Sequence, residues 1–215
     1  MGRCMPASGI DASFADYVRT RFVLTPLSYR PDIALYGPTP GSGLTAFLGR
    51  LGRTEAPPYW AYGWAGGAAL VLYLNDNPQD VAGRSVLDFG AGSGLVGIAA
   101  AMAGATVTAY EPDPLGQLAL TLNAGANGVS IAQGNATTAT EVVLAGDVFY
   151  DASVAAVTLP LLEAHAARGA RVIVGDPFRR DLPRTMLEQI GEYMVPDMGG
   201  GEVAAGIFTL PPANI

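Results

Sequence analysis

The chain has 215 residues, half of them apolar and 14% charged, with a formal net charge of −7 and a single cysteine. This is enough for one domain with a full core, and it excludes an intrinsically disordered chain. No apolar run predicts a transmembrane helix, the N-terminal residues lack the apolar stretch of a signal peptide, and the acidic balance argues against a sequence-independent grip on nucleic acid. Cys4 alone can form neither an internal disulfide nor a zinc site, so it reads as a tail residue. A reducing, cytoplasmic location and no metal site are expected. All twelve basic residues are Arg; the chain has no Lys. Codon bias is the simple account of that.

Residues 1–30 predict a short helix, with Phe14, Tyr17 and Val18 on one face, and then an extended piece, "RFVLTPL". Residues 31–58 are rich in Pro and Gly and predict turns around a short helix near 44–51. Together, residues 1–58 form an N-terminal extension or lid, and 59–215 the main domain. "AALVLYLNDN" predicts a helix that stops before Pro78. From residue 85 short apolar runs alternate with helical stretches. The strands are "SVLDF", "ATVTAY", "VSIAQ", "EVVLAGD" and "ARVIVGD". The helices are "GLVGIAAAMAG", "DPLGQLALTLNAGANG" and "ASVAAVTLPLLEAHAARG". Asp113 caps the second of these, with Pro114 at its first position. The stretch from Asn135 to Glu141 is too short for a helix. Such alternation implies a Rossmann-like, mostly parallel sheet with helices on both faces. "GEYMVPD" and "GEVAAGIFTL" add a hairpin at its edge, which brings the five strands to seven.

The stretch "VLDFGAGSG" leaves a strand and enters a helix. Gly90 permits a tight turn, Gly92 lets a ligand approach the backbone, and Gly94 lets the helix pack on the sheet. The spacing is one residue short of a pyrophosphate cradle. Asp88, just before the first glycine, suits a ligand with an ammonium group. Glu111, 21 residues after Gly90, can accept ribose hydroxyls. A ligand with an adenosine ribose, no phosphate and an amino-acid tail is S-adenosylmethionine.

Here the chain resembles the class I, seven-strand methyltransferases, from residue 59 to about 210. The resemblance implies that the glycine loop holds the methionine part, with Trp64, Gly67 and Asp147 beside it. It implies that Glu111 holds the ribose and that Asn135 touches the adenine amine. The fourth strand ends in Asp147-Val148-Phe149-Tyr150, which looks like methyltransferase family 16. "PYWAYGWAGGAALVLYLNDNP" and "GDPFR" resemble the lysine methyltransferases of the electron transfer flavoprotein β subunit and their bacterial relatives.

The implied activity is methyl transfer to a protein lysine, with S-adenosylhomocysteine as product. Asp147 would attract and aim the substrate ammonium, with Tyr150 beside it as the second catalytic candidate. Trp60, Trp64, Phe149 and Tyr150 could wall the channel, although Trp60 and Trp64 also fit core packing at helical i, i+4 spacing, and Phe149 fits the core. Asp176 could shape the rim. Arg179 and Arg180 read as a solvated loop, or as a contact for an acidic patch on a partner. His165 reads as a surface residue at a helix C-terminus, which leaves Ser93 without a base for a hydrolase triad. A small-molecule N-methyltransferase and a non-catalytic cofactor-binding homologue stay open as alternatives. A monomer is expected.

Overall fold

The computed structural model describes residues 7–53, 57–198 and 200–211, with side chains from residue 12 onward; Cys4 lies outside the described residues. The chain opens with α1 (Ala7–Arg21), then β1 (Phe22–Leu27) and β2 (Arg30–Pro38), which pair as an antiparallel hairpin. α2 follows at Leu44–Arg50. The second strand of the hairpin corrects the expectation of turns from residue 31. One side chain of α5 (Pro114–Ala126) and its C-cap, Asn127, hold it. Tyr36 N–H donates to Asn123 Oδ1 at 2.9 Å, and Asn127 both accepts from Ala34 N–H and donates to Ala34 O. Side-chain amides thus stand in for a neighbouring strand. No local pattern in residues 31–38 announces this, because the partners lie some 90 residues away.

The N-terminal elements share one core with α5. Phe14, Tyr17, Phe47 and Trp60 pack with Leu115 and Ala119. The Tyr17 and Phe47 rings stack at 3.9 Å, and Phe14 meets Trp60 edge-on at 5.3 Å.

The main sheet has the order β5-β4-β3-β6-β7-β9-β8. Its strands are β3 (Ser85–Phe89), β4 (Thr106–Tyr110), β5 (Ala132–Gln133), β6 (Val142–Gly146), β7 (Arg171–Asp176), β8 (Glu188–Pro196) and β9 (Glu202–Thr209). β9 runs antiparallel to both its neighbours, and the other pairs are parallel. The helices α3 (Ala65–Asp76), α4 (Leu95–Met102) and α6 (Ala152–Ala167) complete the βα alternation. This is the expected seven-stranded, mostly parallel α/β architecture. The chain leaves β3 toward β4 on one side and later returns to place β6 on the other. That reversal opens a crevice beyond the carboxyl ends of β3 and β6, where open α/β sheets take their ligands.

Alternate strand residues feed two cores. Val86, Val107, Leu144 and Ile173 face α3 and α4; Leu87, Val143, Val172 and Val174 face the side covered by α6. β5 is two residues long, shorter than the expected "VSIAQ", and no helix separates it from β6. His165 compensates there. It is 1% exposed, not a surface residue as expected, and its Nε2 lies 2.8 Å from Ala136 O. The only histidine therefore ties α6 to the helix-free connection. Among the described residues no helix is long and apolar enough to cross a membrane.

Candidate cofactor and substrate site

The loop after β3 turns through three left-handed glycines, Gly90, Gly92 and Gly94, at φ 70°, 54° and 81°. L side chains rarely tolerate that backbone, which explains the alternating glycines. A Cβ on Gly92 would sit in ordinary contact, 3.8 Å from Trp60 Cα, so the left-handed backbone and not crowding calls for glycine there, and the loop lines the crevice. Gly94 corrects one expectation. Its missing Cβ would stand 2.8 Å from Leu120 Cγ, so it makes room for α5 and not for the sheet.

Asp88 lines the crevice next to this loop and is 1% exposed. Its Oδ2 accepts the Gly97 N–H at 2.8 Å. Burial pushes the carboxyl up to about 7, against that hydrogen bond and with a further push from Glu111. Glu111 sits one residue beyond β4. Its Oε2 accepts from Gly92 N–H at 2.7 Å, and its Oε1 from Asp113 N–H at 2.8 Å. Burial also raises this carboxyl, although the two N–H groups oppose it. Asp88 in the crevice and Glu111 tied to the glycine loop, two acids that burial disfavours as anions, suit a ligand bringing a cation and hydroxyl donors. With the backbone of the glycine loop lining the crevice beside them, the residues present fit the aminoacyl and ribose parts of S-adenosylmethionine.

Asp147 follows β6 in a left-handed conformation, φ 56°. Its Oδ2 accepts from Gly67 N–H at 3.0 Å. Gly67 is the third residue of α3, whose own N-cap, Trp64, offers no capping side chain. Asp147 therefore caps α3 from the end of β6. Its Oδ1 accepts from Arg179 Nη2 and Nε at 2.6 and 3.2 Å. Burial raises this acid and the guanidinium lowers it. The approach of α3 depends on bare backbone: a Cβ on Gly66 would stand 2.2 Å from Gly175 O. Asp176 ends β7 fully buried; its Oδ1 accepts from Arg179 N–H at 2.6 Å.

The aromatic residues sort differently from the sequence reading. Trp60 lies in a single 3-10 turn, Tyr59–Ala61, and Trp64 is extended before α3, so the two do not share a helix. Trp60 is buried against Phe14, and Phe149 is fully buried on the α6 side of the sheet. Neither ring has a face to offer a channel, which corrects both as channel walls. Tyr150 is 42% exposed and meets Tyr59 at 4.9 Å; Tyr59 in turn meets Trp64 at 5.8 Å. Trp64 Nε1–H donates to Tyr59 O, and both Trp64 and Tyr62 line the crevice. The aromatic mouth is therefore Tyr59, Tyr62, Trp64 and Tyr150.

Asn135 is exposed, and its Oδ1 accepts from Thr137 N–H and Oγ1–H. Its side chain closes a local turn and does not line the crevice, so the expected adenine contact has no support here. Sequence reasoning passed over Tyr59, Tyr62, Gly66, Gly97 and Gly116. Gly97 carried a readable signal, a lone glycine inside an otherwise apolar helix. It also treated Arg179 as solvated; Arg180, 87% exposed at its side chain beside Asp181, fits that description and Arg179 does not.

Residues 69–164 match the family described as ribosomal protein L11 methyltransferase (PrmA). The electron transfer flavoprotein beta subunit lysine methyltransferase of Rattus norvegicus is 40% identical over 153 residues, covering 65% of this chain and 60% of the relative. Its Danio rerio counterpart is 35% identical over 153 residues, covering 65% and 59%. The chain thus spans about 60% of the length of these relatives. Among solved structures, a candidate RNA methyltransferase of Pyrococcus horikoshii superposes with a TM-score of 0.53 at 17% identity, covering 74% of this chain and 90% of that one. The chain has the fold of the class I methyltransferases, and the resemblance read from its motifs is matched by these relatives.

Proposed function

We propose that this chain is an S-adenosylmethionine-dependent protein-lysine N-methyltransferase, monomeric and cytoplasmic, whose substrate is the electron transfer flavoprotein β subunit. No nucleic-acid or membrane partner belongs to this reading. The observation that carries it is the pair of buried acids, Asp88 and Glu111, set around the glycine loop at the mouth of a methyltransferase sheet.

S-adenosylmethionine, when bound, supplies a methyl group on a sulfonium sulfur. Asp88 pairs with the ammonium of the methionine part. Glu111 uses its remaining lone pairs for the ribose hydroxyls and keeps the Gly92 and Asp113 N–H groups. Trp64, Gly67 and Asp147, which line the same crevice, would sit beside the methionine part. The faces of Tyr59, Trp64 and Tyr150 favour an ammonium by about 0.5–2 kcal/mol each.

Exposure of Tyr59 and Tyr150, 39% and 42%, favours a protein side chain over a small molecule that must be enclosed. The test is incubation of the chain with methyl-labelled cofactor and the flavoprotein β subunit, followed by mass spectrometry. Methyl groups on lysine of that subunit are expected. Methylation of small amines and of no protein would replace this reading with a small-molecule N-methyltransferase, and failure to bind S-adenosylhomocysteine would remove both.

A further inference from the structure

The carboxyl ends of β6 and β7 bring two acids to one arginine. Gly146 pairs with Gly175, so Asp147 and Asp176 leave neighbouring strands side by side. Asp147 is 6% exposed and Asp176 not at all. Arg179 serves both, through its side chain to Asp147 and its backbone N–H to Asp176. Asp176 Oδ2 nevertheless has no hydrogen-bond partner among the described residues, though it is buried. Such an orphan costs about 1–3 kcal/mol. Arg184 is the next cation, and its guanidinium lies over the Phe178 ring at 4.9 Å. Two acids and one hydrogen-bonded cation leave this corner short of both a charge and a donor.

We propose that Asp147 and Asp176 together form the subsite that receives a lysine ammonium, and that the Arg179 side chain holds this place until the substrate displaces it. The proposal rests on the lysine-methyltransferase reading and adds the group that the substrate must replace. An ammonium carries three donors on a compact head, enough for Asp147 Oδ1 and the orphan Asp176 Oδ2 together. The acids are fixed by α3 and the sheet, whereas the Arg179 side chain is 29% exposed and can swing outward. Arginine also suits a placeholder chemically. Its guanidinium stays protonated and is a poor nucleophile, so it can lie beside a transferable methyl without consuming it. A lysine could not.

The experiment has two arms. In the first, n-butylammonium chloride is titrated into the cofactor-free protein and followed by NMR, with sodium chloride as the ionic-strength control. Arg179→Met is expected to bind n-butylammonium at least tenfold more tightly than the wild type, and Asp176→Asn added to it to abolish the gain. Arg179→Gln is the second opening variant, should the first lose its fold. In the second arm, Arg179→Lys and Arg180→Lys are each incubated with S-adenosylmethionine and no other substrate. The neutral amine introduced at 179 forms an N–C bond to the methyl carbon. The C–S bond breaks with its pair passing to sulfur, and the amine's excess proton goes to solvent. Mass spectrometry should find the methyl at 179 and none at 180. Equal n-butylammonium affinity in the wild type and both opening variants would overturn the placeholder, even in an enzyme active on protein lysine. Tighter binding in the opening variants, with no methylation of any protein lysine, would uphold the cation subsite and overturn the lysine-methyltransferase reading alone.

Discussion

A Cβ placed on Gly116 would stand 2.7 Å from Glu111 Cγ. The first turn of α5 is therefore bare where the acid after β4 lies against it, and a Cβ on Gly97 would stand in the same relation to Asp88, 2.8 Å from its Oδ2. Each helix gives up a side chain to seat one carboxylate. Gly116→Ala should improve the intrinsic propensity of α5 by up to about 1 kcal/mol. It should nonetheless lower affinity for S-adenosylhomocysteine about tenfold or more by displacing Glu111. Glu111→Ala should cost about 1–3 kcal/mol of binding, since it removes a charged acceptor and frees two N–H groups. Calorimetric titration beside thermal unfolding separates the two effects. Unchanged affinity in Gly116→Ala would show that Glu111 does not contact the ligand.

Asp88 makes a pH prediction with a definite sign. Its ordinary value is 3.8 and burial raises it to about 7 in the folded chain. Between those values the folded state holds a proton that the unfolded state has lost. Stability of the ligand-free protein should therefore fall as pH rises from about 4 to 7. Asp88→Asn should remove that part of the slope and be the more stable form at pH 8. A ligand ammonium needs the ionised acid, so S-adenosylhomocysteine affinity should rise about tenfold from pH 6 to 8 and binding should release protons. A flat affinity profile would separate Asp88 from the ammonium.

Gly66 and Gly67 are neighbours in α3 with opposite tolerances. A Cβ on Gly66 meets Gly175 O at 2.2 Å and Asp147 Oδ2 at 2.7 Å; one on Gly67 meets only the side chains of Val96 and Leu95, at 3.5 and 3.6 Å. Backbone cannot yield as a side chain can. Gly66→Ala should destabilise by about 3 kcal/mol or more, while Gly67→Ala should stay within about 1 kcal/mol of the wild type. Chemical denaturation measures both. Equal effects would mean that α3 is free to shift on the sheet.

Most of the fold was legible because its signals are local. Apolar runs such as "SVLDF" and "ARVIVGD" fall on β3 and β7, and Asp113 caps α5, accepting from Leu115 N–H as its sequence predicts. The failures have non-local causes. β2 is stabilised by Asn123 and Asn127, and His165 is buried by a connection that lacks a helix. At the site, the glycine loop, Asp88 and Glu111 could be read from spacing, and Asp147 from the resemblance of its motif. Which aromatic rings reach the mouth could not, because Trp60 and Tyr59 are adjacent in sequence and face opposite ways: one toward Phe14, the other toward Tyr150.

Asp147 carries two duties, and one substitution parts them. Asp147→Asn keeps the size of the side chain, and Asn tolerates the left-handed backbone found there. An amide oxygen can still accept from Gly67 N–H, so α3 should stay capped and S-adenosylhomocysteine should bind within about threefold of the wild type. The charge that holds Arg179, and in the proposed reaction aims the substrate amine, is lost. Turnover on a protein lysine should fall about 100-fold or more, the scale expected when a reacting group loses its alignment. Asp147→Ala should add a stability loss of about 1–2 kcal/mol from the missing cap. Comparing the two variants by thermal unfolding and by single-turnover methylation tells the duties apart. If Asp147→Asn keeps near wild-type turnover, Asp147 serves α3 and Arg179 only, and the aim of the amine must come from Asp176 and the aromatic mouth.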